Sequence, residues 1–308
     1  MRVSVVMAVY NGEKYLLEQL QSLKDQTRNP DEVIIMNDCS SDNTVEMIKD
    51  FIKEFALENW NIINNISNLG WRKNFIEGLK KSTGDYIFLC DQDDIWHNDK
   101  IECMTKALDE NEQILLLASN YNYLYEDGME EIKNKFKNCD KTVTKYPFDK
   151  RFFYVERPGC VYALRRQLAD IVINEWYERS AHDSLAWRIA NIMDGLYIYN
   201  DTTIEFRRHP ESATAERRNS ISDKVSDCKF WIESMKHLIR ICEKYYLSQE
   251  KLKVLRGMKK FAEERLMMFE SRNPIRWFKC IKYHEYYYSM KVMVGDMYYV
   301  MFGRGEKK

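Results

Sequence analysis

The sequence lacks any run of about 18 uninterrupted apolar residues, the length that a membrane-spanning helix requires. The opening residues Met1 to Val9 hold too short an apolar stretch for a signal peptide, and they lack a small-residue cleavage region. We therefore expect a cytoplasmic protein.

The eight cysteines include no C-x-x-C pair, and nothing in the sequence indicates secretion. This scatter argues against a zinc site and against a disulfide framework. We expect free thiols, several of them buried.

Two glycine-rich phosphate-binding motifs are also missing. No G-x-G-x-x-G follows the first predicted strand, which argues against a dinucleotide dehydrogenase. No G-x-x-x-x-G-K-[ST] is present, which argues against a P-loop enzyme. If phosphate binds to this chain, a metal ion has to replace the glycine cradle.

The 308 residues suffice for one large domain or two modest ones, and a composition of 45% hydrophobic and 31% charged residues is typical of a soluble globular protein. The net charge of −1 is unevenly placed. Residues 251–308 hold 14 Lys or Arg and 6 Asp or Glu, whereas the first 250 residues hold 33 and 42. An acidic body with a basic tail argues against nucleic-acid binding.

Apolar strand patterns alternate with amphipathic helix patterns through the first 96 residues. This alternation predicts an α/β fold with a parallel, doubly wound sheet. The predicted strands are Val3 to Val9, Glu32 to Met36, Asn61 to Asn64 and Tyr86 to Cys90.

The patterns are weaker beyond Trp96. They predict a helix to Glu110, a hairpin turn at Asp127-Gly128, a helix opening at His182, and strands at Ile114 to Ala118, Cys160 to Leu164, Leu196 to Tyr199 and Thr203 to Phe206. From Ile221 onward they predict three helical segments, with breaks near Ser248 and at Asn273-Pro274.

Three carboxylates, Asp91, Asp93 and Asp94, follow the predicted buried strand at Tyr86 to Cys90. The carboxyl edge of an open α/β sheet is where ligands bind, and carboxylates this close need a counter-cation. Oxygen ligands suit Mg²⁺ or Mn²⁺. An EF-hand is excluded because Ile95 and Trp96 stand where a ligand and a glycine are required. An acidic cap, with Asp94 before the next helix, is the alternative.

Three further polar groups stand at predicted element ends: Asp38, His182-Asp183 and Arg207-Arg208-His209. Convergent polar ends form a pocket. Each group also has an ordinary interpretation. Asp183 can be a helix N-cap, His182 a surface histidine or a hydrogen-bonded one, and the two arginines solvated charge.

Five motifs in order resemble the inverting family 2 glycosyltransferases of the GT-A fold: V-S-V-V-M-A-V-Y-N, N-D-C-S-S-D-N-T, D-Q-D-D-I-W, H-D and R-R-H. The resemblance covers residues 1–215. The spelling D-Q-D-D-x-W followed by H-D is similar to a bacterial subgroup that includes many rhamnosyltransferases of cell-surface polysaccharide assembly. Ala8 and Asn37 depart from the family, which often has Pro and Asp there.

The resemblance implies a GT-A, Rossmann-like, mostly parallel sheet flanked by helices, with an α-helical C-terminal region. Residues 1–215 would form the catalytic domain, with a nucleotide-binding half at 1–96 and an acceptor half at 97–215. Residues 216–308 would form the helical region.

The resemblance also implies site residues. Asp38 would hydrogen-bond the base, Asp91 would meet the ribose and border the metal, and Asp93 would ligate Mn²⁺ or Mg²⁺ on the diphosphate. His209 would add a metal or phosphate contact, and Asp183 would be the general base. The remaining nucleotide contacts would be Ala8, Tyr10, Asn68, Gly70, Arg72, Arg207 and Arg208.

The leading hypothesis is a metal-dependent inverting glycosyltransferase. It would move a sugar from dTDP-rhamnose or a UDP-hexose to a hydroxyl of a glycan or lipid-linked acceptor, in surface polysaccharide synthesis. A catalytically silent nucleotide-sugar-binding subunit and a metal-dependent phosphohydrolase are the alternatives. The basic, aromatic tail from Asn273 is expected either to lie on an anionic membrane surface or to pack within the protein or a homodimer.

Overall fold

A computed structural model describes residues 1–126, 136, 139–209 and 220–302. The chain forms two compact units. Unit 1 comprises residues 1–146 and 155–212, and unit 2 comprises residues 147–154 and 213–308. The predicted turn at Asp127-Gly128 lies outside the described residues. The functional division into donor and acceptor halves stays a prediction.

The first part of unit 1 alternates strands and helices, as the apolar patterns predict. The elements are β1 (Val3–Val9), α1 (Leu16–Lys24), β2 (Glu32–Asn37), α2 (Thr44–Glu54), β3 (Trp60–Asn64), α3 (Trp71–Lys81) and β4 (Tyr86–Cys90).

The second part of unit 1 completes the sheet. Its elements are β5 (Ile95–Trp96), α4 (Lys100–Glu110), β6 (Leu116–Tyr125), β7 (Val143–Lys145), β8 (Tyr162–Arg165), α5 (Arg166–Glu175), α6 (His182–Ile192) and β9 (Leu196–Arg208). A short 3-10 turn at Gly159–Val161 precedes β8.

The strand order is β3-β2-β1-β4-β8-β6-β9-β5, with β7 paired to β9. The first four strands of this order are parallel. Strand β8 is antiparallel to both β4 and β6, so β6 and β9 run in the same direction as β4. The carboxyl ends of β1, β2, β4 and β9 therefore lie along one edge of the sheet.

The core of unit 1 is apolar and closely packed. Strand β4 is buried at every position, which explains its unbroken apolar sequence. Helix α3 lies tightly on β1 and β2, because a Cβ at Gly78 would come within 2.4 Å of Val6 Cγ1 and 3.0 Å of Met36 Cγ. Glycine permits this close approach.

Three predictions of local structure differ from the fold. The two strands expected at Leu196 to Tyr199 and Thr203 to Phe206 are one strand, β9. The polar residue Asn200 in the middle of β9 has partners at β7: its backbone N–H donates to Thr142 O at 2.8 Å, just before β7, and its side chain donates to Thr144 Oγ1 at 3.1 Å. Strand β6 extends seven residues beyond Ala118 along β9, with two register shifts. Helix α5 was not predicted.

Unit 2 contains four α-helices in its described residues, and so confirms the predicted helical C-terminal region. They are α7 (Ile221–Lys244), α8 (Gln249–Ser271), α9 (Ile275–Ile281) and α10 (Met290–Phe302). Ser220 and Asp223 cap α7 reciprocally, and the Ser248 side chain accepts a hydrogen bond from Lys251 N at the start of α8. Among the described residues, no helix has both the length and the apolar character needed to span a bilayer.

Candidate active site

Asp91, Asp93 and Asp94, which we call the acid cluster, lie at the end of β9. Strand β5 pairs antiparallel to β9, with Ile95 opposite Glu205. Since Asp93 and Asp94 directly precede Ile95, this pairing brings them to the last residues of β9. The topology thus joins two motifs that are more than 100 residues apart in the sequence.

Hydrogen bonds fix this junction. The Arg207 backbone N–H donates to Asp94 Oδ1 at 3.0 Å, and Arg207 Nε donates to the Asp93 carbonyl at 2.8 Å. His209 Nε2 lies 2.8 Å from Asp93 Oδ2. The alternative role of Asp94 as a helix cap is excluded, because α4 begins at Lys100 with Asp99 at its N-cap position.

Helix α1 and the residue before it form the other side of the junction. The Arg207 guanidinium stacks over the Tyr15 ring at 4.9 Å and pairs with Glu18 at 2.8 Å. The rings of Tyr15 and His209 are 4.9 Å apart. The Tyr15 hydroxyl donates to Glu126, just beyond β6. These contacts hold Arg207 and His209 in place.

Cys160 lies beside two members of the acid cluster. Carboxylate oxygens of Asp91 and Asp94 and the Cys160 sulfur lie within 4.8 Å of one another. Burial and the charges of Asp93, Asp94 and Asp183 raise the pKa of Asp91 well above its ordinary value. Burial and the charge of Asp93 raise the pKa of Asp94 to about 7. This concentration of negative charge favours a cation.

A buried lysine adjoins these carboxylates. The Lys100 ammonium donates to the Cys160 carbonyl at 2.6 Å and lies 3.9 Å from the centre of the Trp96 ring. Burial lowers its pKa to about 8. The sequence patterns did not single out Lys100, because they placed it in the first turn of an ordinary amphipathic helix.

The predicted metal ligands are Asp93, Asp91 and His209, and that they hold an ion stays a prediction. The Cys160 sulfur, which lies beside Asp91 and Asp94, is a soft ligand that Mn²⁺ and Mg²⁺ do not prefer. Carboxylates and an imidazole are ligands that Mn²⁺ and Mg²⁺ accept. The contact between Asp93 and His209 brings together two of the three predicted metal ligands.

Asp38 organises the loop between β3 and α3. Its Oδ1 accepts from Leu69 N at 2.7 Å and from Asn65 Nδ2 at 2.8 Å, and its Oδ2 accepts from Gly70 N at 2.8 Å. Gly70 has φ +76°, a conformation that favours glycine. Asn68 also joins this loop, since its side chain donates to the Asp38 carbonyl at 3.1 Å.

An ionised carboxylate has about four acceptor positions, and three of those on Asp38 are used. One position on Oδ2 is therefore compatible with a donor from a nucleotide base. The predicted role of Asp38 in base binding stays a prediction.

The turn after β1 is tied to the acid cluster by Gln92. Its Oε1 accepts from Tyr10 N at 2.8 Å, and its Nε2 donates to Tyr10 O at 3.1 Å. A Cβ at Gly12 would lie 2.5 Å from Gln92 Oε1. The Tyr10 ring is exposed and Ala8 is half-buried near the end of β1. Gln92 stands between Asp91 and Asp93 in the D-x-D motif. That position was the only feature of the sequence that could have indicated its contact with the turn after β1.

Asp183 lies in the first turn of α6 and is not its N-cap residue, which is Ala181. Its Oδ1 accepts from Ser184 N at 2.6 Å. A Cβ at Gly159 would lie 2.9 Å from Asp183 Cβ. Cys160 lies beside Asp91 and Asp94, and its neighbour Gly159 contacts Asp183. The Gly159-Cys160 pair therefore lies between Asp183 and the acid cluster.

The neighbour of Asp183, His182, is buried. Its ring stacks on Phe75 at 4.1 Å and meets the Trp71 ring edge-on at 5.8 Å. Burial lowers the pKa of His182 to about 4, and the charge of Arg72 contributes. Of the ordinary interpretations of His182, a surface position is therefore excluded. The start of α3, with Arg72 stacked over Trp71 at 4.5 Å, lies against the start of α6.

Arg208 is the last residue of β9 and pairs with Tyr125 of β6. Its carbonyl accepts from Glu126 N at 3.4 Å. Unlike Arg207, its backbone contacts lead toward β6 and not toward the acid cluster.

Comparison with known proteins identifies the family. Residues 4–161, just over half of the chain, match the profile of the family described as Glycosyl transferase family 2. The chain belongs to this family. A relative described as dTDP-rhamnosyl transferase RfbG, from Shigella flexneri, is 29% identical over 227 residues, which cover 66% of this chain and 71% of the relative.

Two solved structures resemble the fold of this family 2 glycosyltransferase. S. aureus TarS 1-349 in complex with UDP-GlcNAc gives a TM-score of 0.60 at 18% identity, covering 87% of this chain and 81% of TarS 1-349. Mannosyltransferase PcManGT from Pyrobaculum calidifontis, in complex with GDP-Man and Mn²⁺, gives 0.53 at 13% identity, covering 99% and 76%. These likenesses confirm the predicted GT-A fold.

Three residues that the sequence patterns did not single out contact the predicted site residues or their neighbours: Gln92, Lys100 and Gly159. Each makes these contacts with residues far away in the sequence, so local patterns could not indicate them. Gly159 had one signal, since it forms a Pro-Gly turn shortly before a predicted strand.

Proposed function

We propose that this glycosyltransferase moves a sugar from a nucleoside-diphosphate sugar to a hydroxyl group, with inversion at the anomeric carbon. The observation that carries the proposal is the link through Gly159 and Cys160, which brings the Asp183 carboxylate close enough to the acid cluster to raise the pKa of Asp91. A displacement reaction needs a base and a site for the leaving group on opposite sides of the reacting carbon.

The donor side comprises the Asp38 loop, the turn after β1 and the acid cluster. Tyr10, Asn68, Gly70 and Arg72 would border the nucleotide, and Asp91 the ribose. The ordered hydrogen bonds of the Asp38 loop support this assignment, because a preorganised loop loses less entropy when a ligand binds.

The transfer step forms a bond between the acceptor oxygen and the anomeric carbon and breaks the bond to the donor phosphate. The acceptor proton passes to the Asp183 carboxylate. Negative charge then develops on the nucleoside diphosphate, where the positive side chains of Arg207 and Arg208 would counter it. No covalent intermediate is required, since one displacement inverts the carbon.

Asp93 and His209, with Asp91, would hold a divalent cation. When bound, Mn²⁺ or Mg²⁺ would supply positive charge to the diphosphate. The PcManGT complex contains Mn²⁺ together with GDP-Man, and this supports the choice of ion.

We propose dTDP-rhamnose or a UDP-hexose as the donor. The rhamnosyl transferase relative supports the first, and the UDP-GlcNAc complex of TarS supports the second. The acceptor would be a glycan or a lipid-linked saccharide of surface polysaccharide synthesis. The enzyme would then work in the cytoplasm, at the inner face of the membrane, where its basic tail could contact lipid. A homodimer stays a prediction.

The proposal is tested by incubating the protein with a panel of sugar nucleotides, with Mn²⁺ and with EDTA. Slow donor hydrolysis needs no knowledge of the acceptor. We expect metal-dependent release of nucleoside diphosphate from one donor. Release of inorganic phosphate would instead support a phosphohydrolase, and tight donor binding without release would support a silent binding subunit.

Asp183→Asn tests the base. We expect donor affinity to stay within about twofold and turnover to fall by about 10²- to 10⁴-fold, the usual worth of a general base. Asp170→Asn, an exposed aspartate on α5, is the matched control and should leave both unchanged. Normal turnover in Asp183→Asn would remove Asp183 as the base.

A further inference from the structure

Helix α10 turns an apolar face outward. Met290, Val294, Tyr298 and Met301 are spaced by four, four and three residues and so share one side of the helix. Their exposed fractions are 64%, 57%, 61% and 50%. An ordinary surface helix presents polar side chains at such positions.

The inward side of α10 carries its acid. Asp296 is 1% exposed, and its two oxygens accept from Arg265 Nε at 2.7 Å and from the Arg265 terminal nitrogen at 2.8 Å. Met293 and Val300 are buried beside it. This bidentate ion pair fixes the rotation of α10 about its axis, so that the apolar side faces outward.

The residues beside α10 carry further exposed apolar side chains, and α9 contacts α10 where Trp277 Nε1 donates to the Met293 carbonyl at 2.9 Å. Ile275 and Phe278 of α9 are 72% and 63% exposed, and Tyr288 and Phe302 at the ends of α10 are 46% and 63% exposed. Together with the four residues of α10, they form what we call the apolar face. Large exposed apolar patches mark sites of contact with proteins or membranes.

The segment that carries the apolar face, residues 272–302, is basic. Its basic side chains are Arg272, Arg276, Lys279, Lys282 and Lys291. Its two acids are both engaged, Glu285 with Lys150 and Asp296 with Arg265. An apolar face on a basic segment is complementary to an anionic lipid surface.

We propose that the apolar face docks on an anionic bilayer, with α10 lying in the interface plane. Thirteen residues of helix measure about 20 Å, so α10 can lie on a membrane but is too short to cross it. Docking would bring the enzyme to the membrane that holds a lipid-linked acceptor, and this part rests on the proposed function.

A second copy of the chain fits this face less well than an anionic lipid surface does. Two copies meeting through it would bring two basic segments together, and like charges repel.

The test is co-sedimentation of the full chain with vesicles of phosphatidylcholine alone and with one quarter phosphatidylglycerol. We expect binding to the anionic vesicles, weakened at least tenfold on the neutral ones and reduced by high salt. Val294→Glu with Tyr298→Glu should weaken binding at least tenfold. Tyr246→Glu, at another exposed aromatic of unit 2, is the matched control and should bind as the wild type does.

Two results would overturn the proposal. One is equal vesicle binding by the double variant and the wild type. The other is a wild-type dimer that the double variant converts to a monomer, because the second copy would then be the occupant. Donor hydrolysis without vesicles, measured in parallel, should be unchanged in the double variant. Its absence from the wild type would refute the proposed function, whereas vesicle binding would still decide the docking inference.

Discussion

Replacing Gly159 by alanine tests how closely the chain positions Asp183. The added Cβ would lie 2.9 Å from Asp183 Cβ, whereas ordinary contacts are 3.4–4 Å. The conflict is with an atom next to the helix backbone, which cannot rotate away. The first turn of α6 must therefore move by about 0.5–1 Å, a displacement that costs a catalytic group up to about 10²-fold in rate.

We expect Gly159→Ala to lower turnover by about 10- to 100-fold and to leave donor affinity within about twofold. Overpacking should also cost about 1–3 kcal/mol of stability. The assay is nucleoside diphosphate release from the selected donor, with donor binding followed by titration and stability by urea unfolding.

Gly195→Ala is the matched control for overpacking. Its Cβ would lie 2.4 Å from Leu115 Cγ, so it should lose similar stability while keeping turnover in the folded fraction. Unchanged turnover in Gly159→Ala would refute the reasoning. So would a loss of donor affinity as large as the loss of turnover, because the defect would then lie on the donor side.

Three further predictions concern other parts of the site. In Asp38→Asn, the amide NH₂ group would face the Gly70 backbone N–H, so a charge-assisted hydrogen bond worth about 1.5–3 kcal/mol is lost. The free energy of unfolding without nucleotide should fall by about 2 kcal/mol. An unchanged Tm would show that Asp38 does not hold the loop. Because His182 has a pKa of about 4 in the folded protein and an ordinary value of 6.5, the unfolded chain binds the extra proton between these values. Stability should fall as pH drops from 6.5 to 4, and His182→Gln should flatten that slope in urea titrations. Asp93→Asn should abolish the part of donor binding that EDTA removes, and equal EDTA sensitivity in the variant would contradict its role as a ligand.

Much of the donor side follows from local sequence. Strand β4 reads as an unbroken apolar run because both of its faces are buried, and the carboxylates follow where it ends. Strands β1 and β2 are also apolar and almost wholly buried, and β3 is less so; their alternation with helices along the chain predicts the parallel sheet. The family resemblance added roles to these positions, which local patterns could not assign.

The second half of unit 1 was less predictable. Strand β9 includes polar residues that resemble a turn, and it continues as a strand because Asn200 has hydrogen-bond partners in β7 and just before it. The local sequence pattern gives no information about this pairing between distant segments. The extension of β6 along β9 has the same cause.

By itself, the sequence determined the α/β class, the acid cluster after β4, and the basic, aromatic character of the tail, because these depend on the order and type of neighbouring residues. Only the tertiary structure decided which of these groups meet. The pairing of β5 with β9 joins Asp93 to His209, and Gly159 brings Asp183 to the acid cluster. The ion pair of Arg265 with Asp296 sets which side of α10 faces outward. Such contacts arise from strand register and helix rotation, which depend on packing between distant segments.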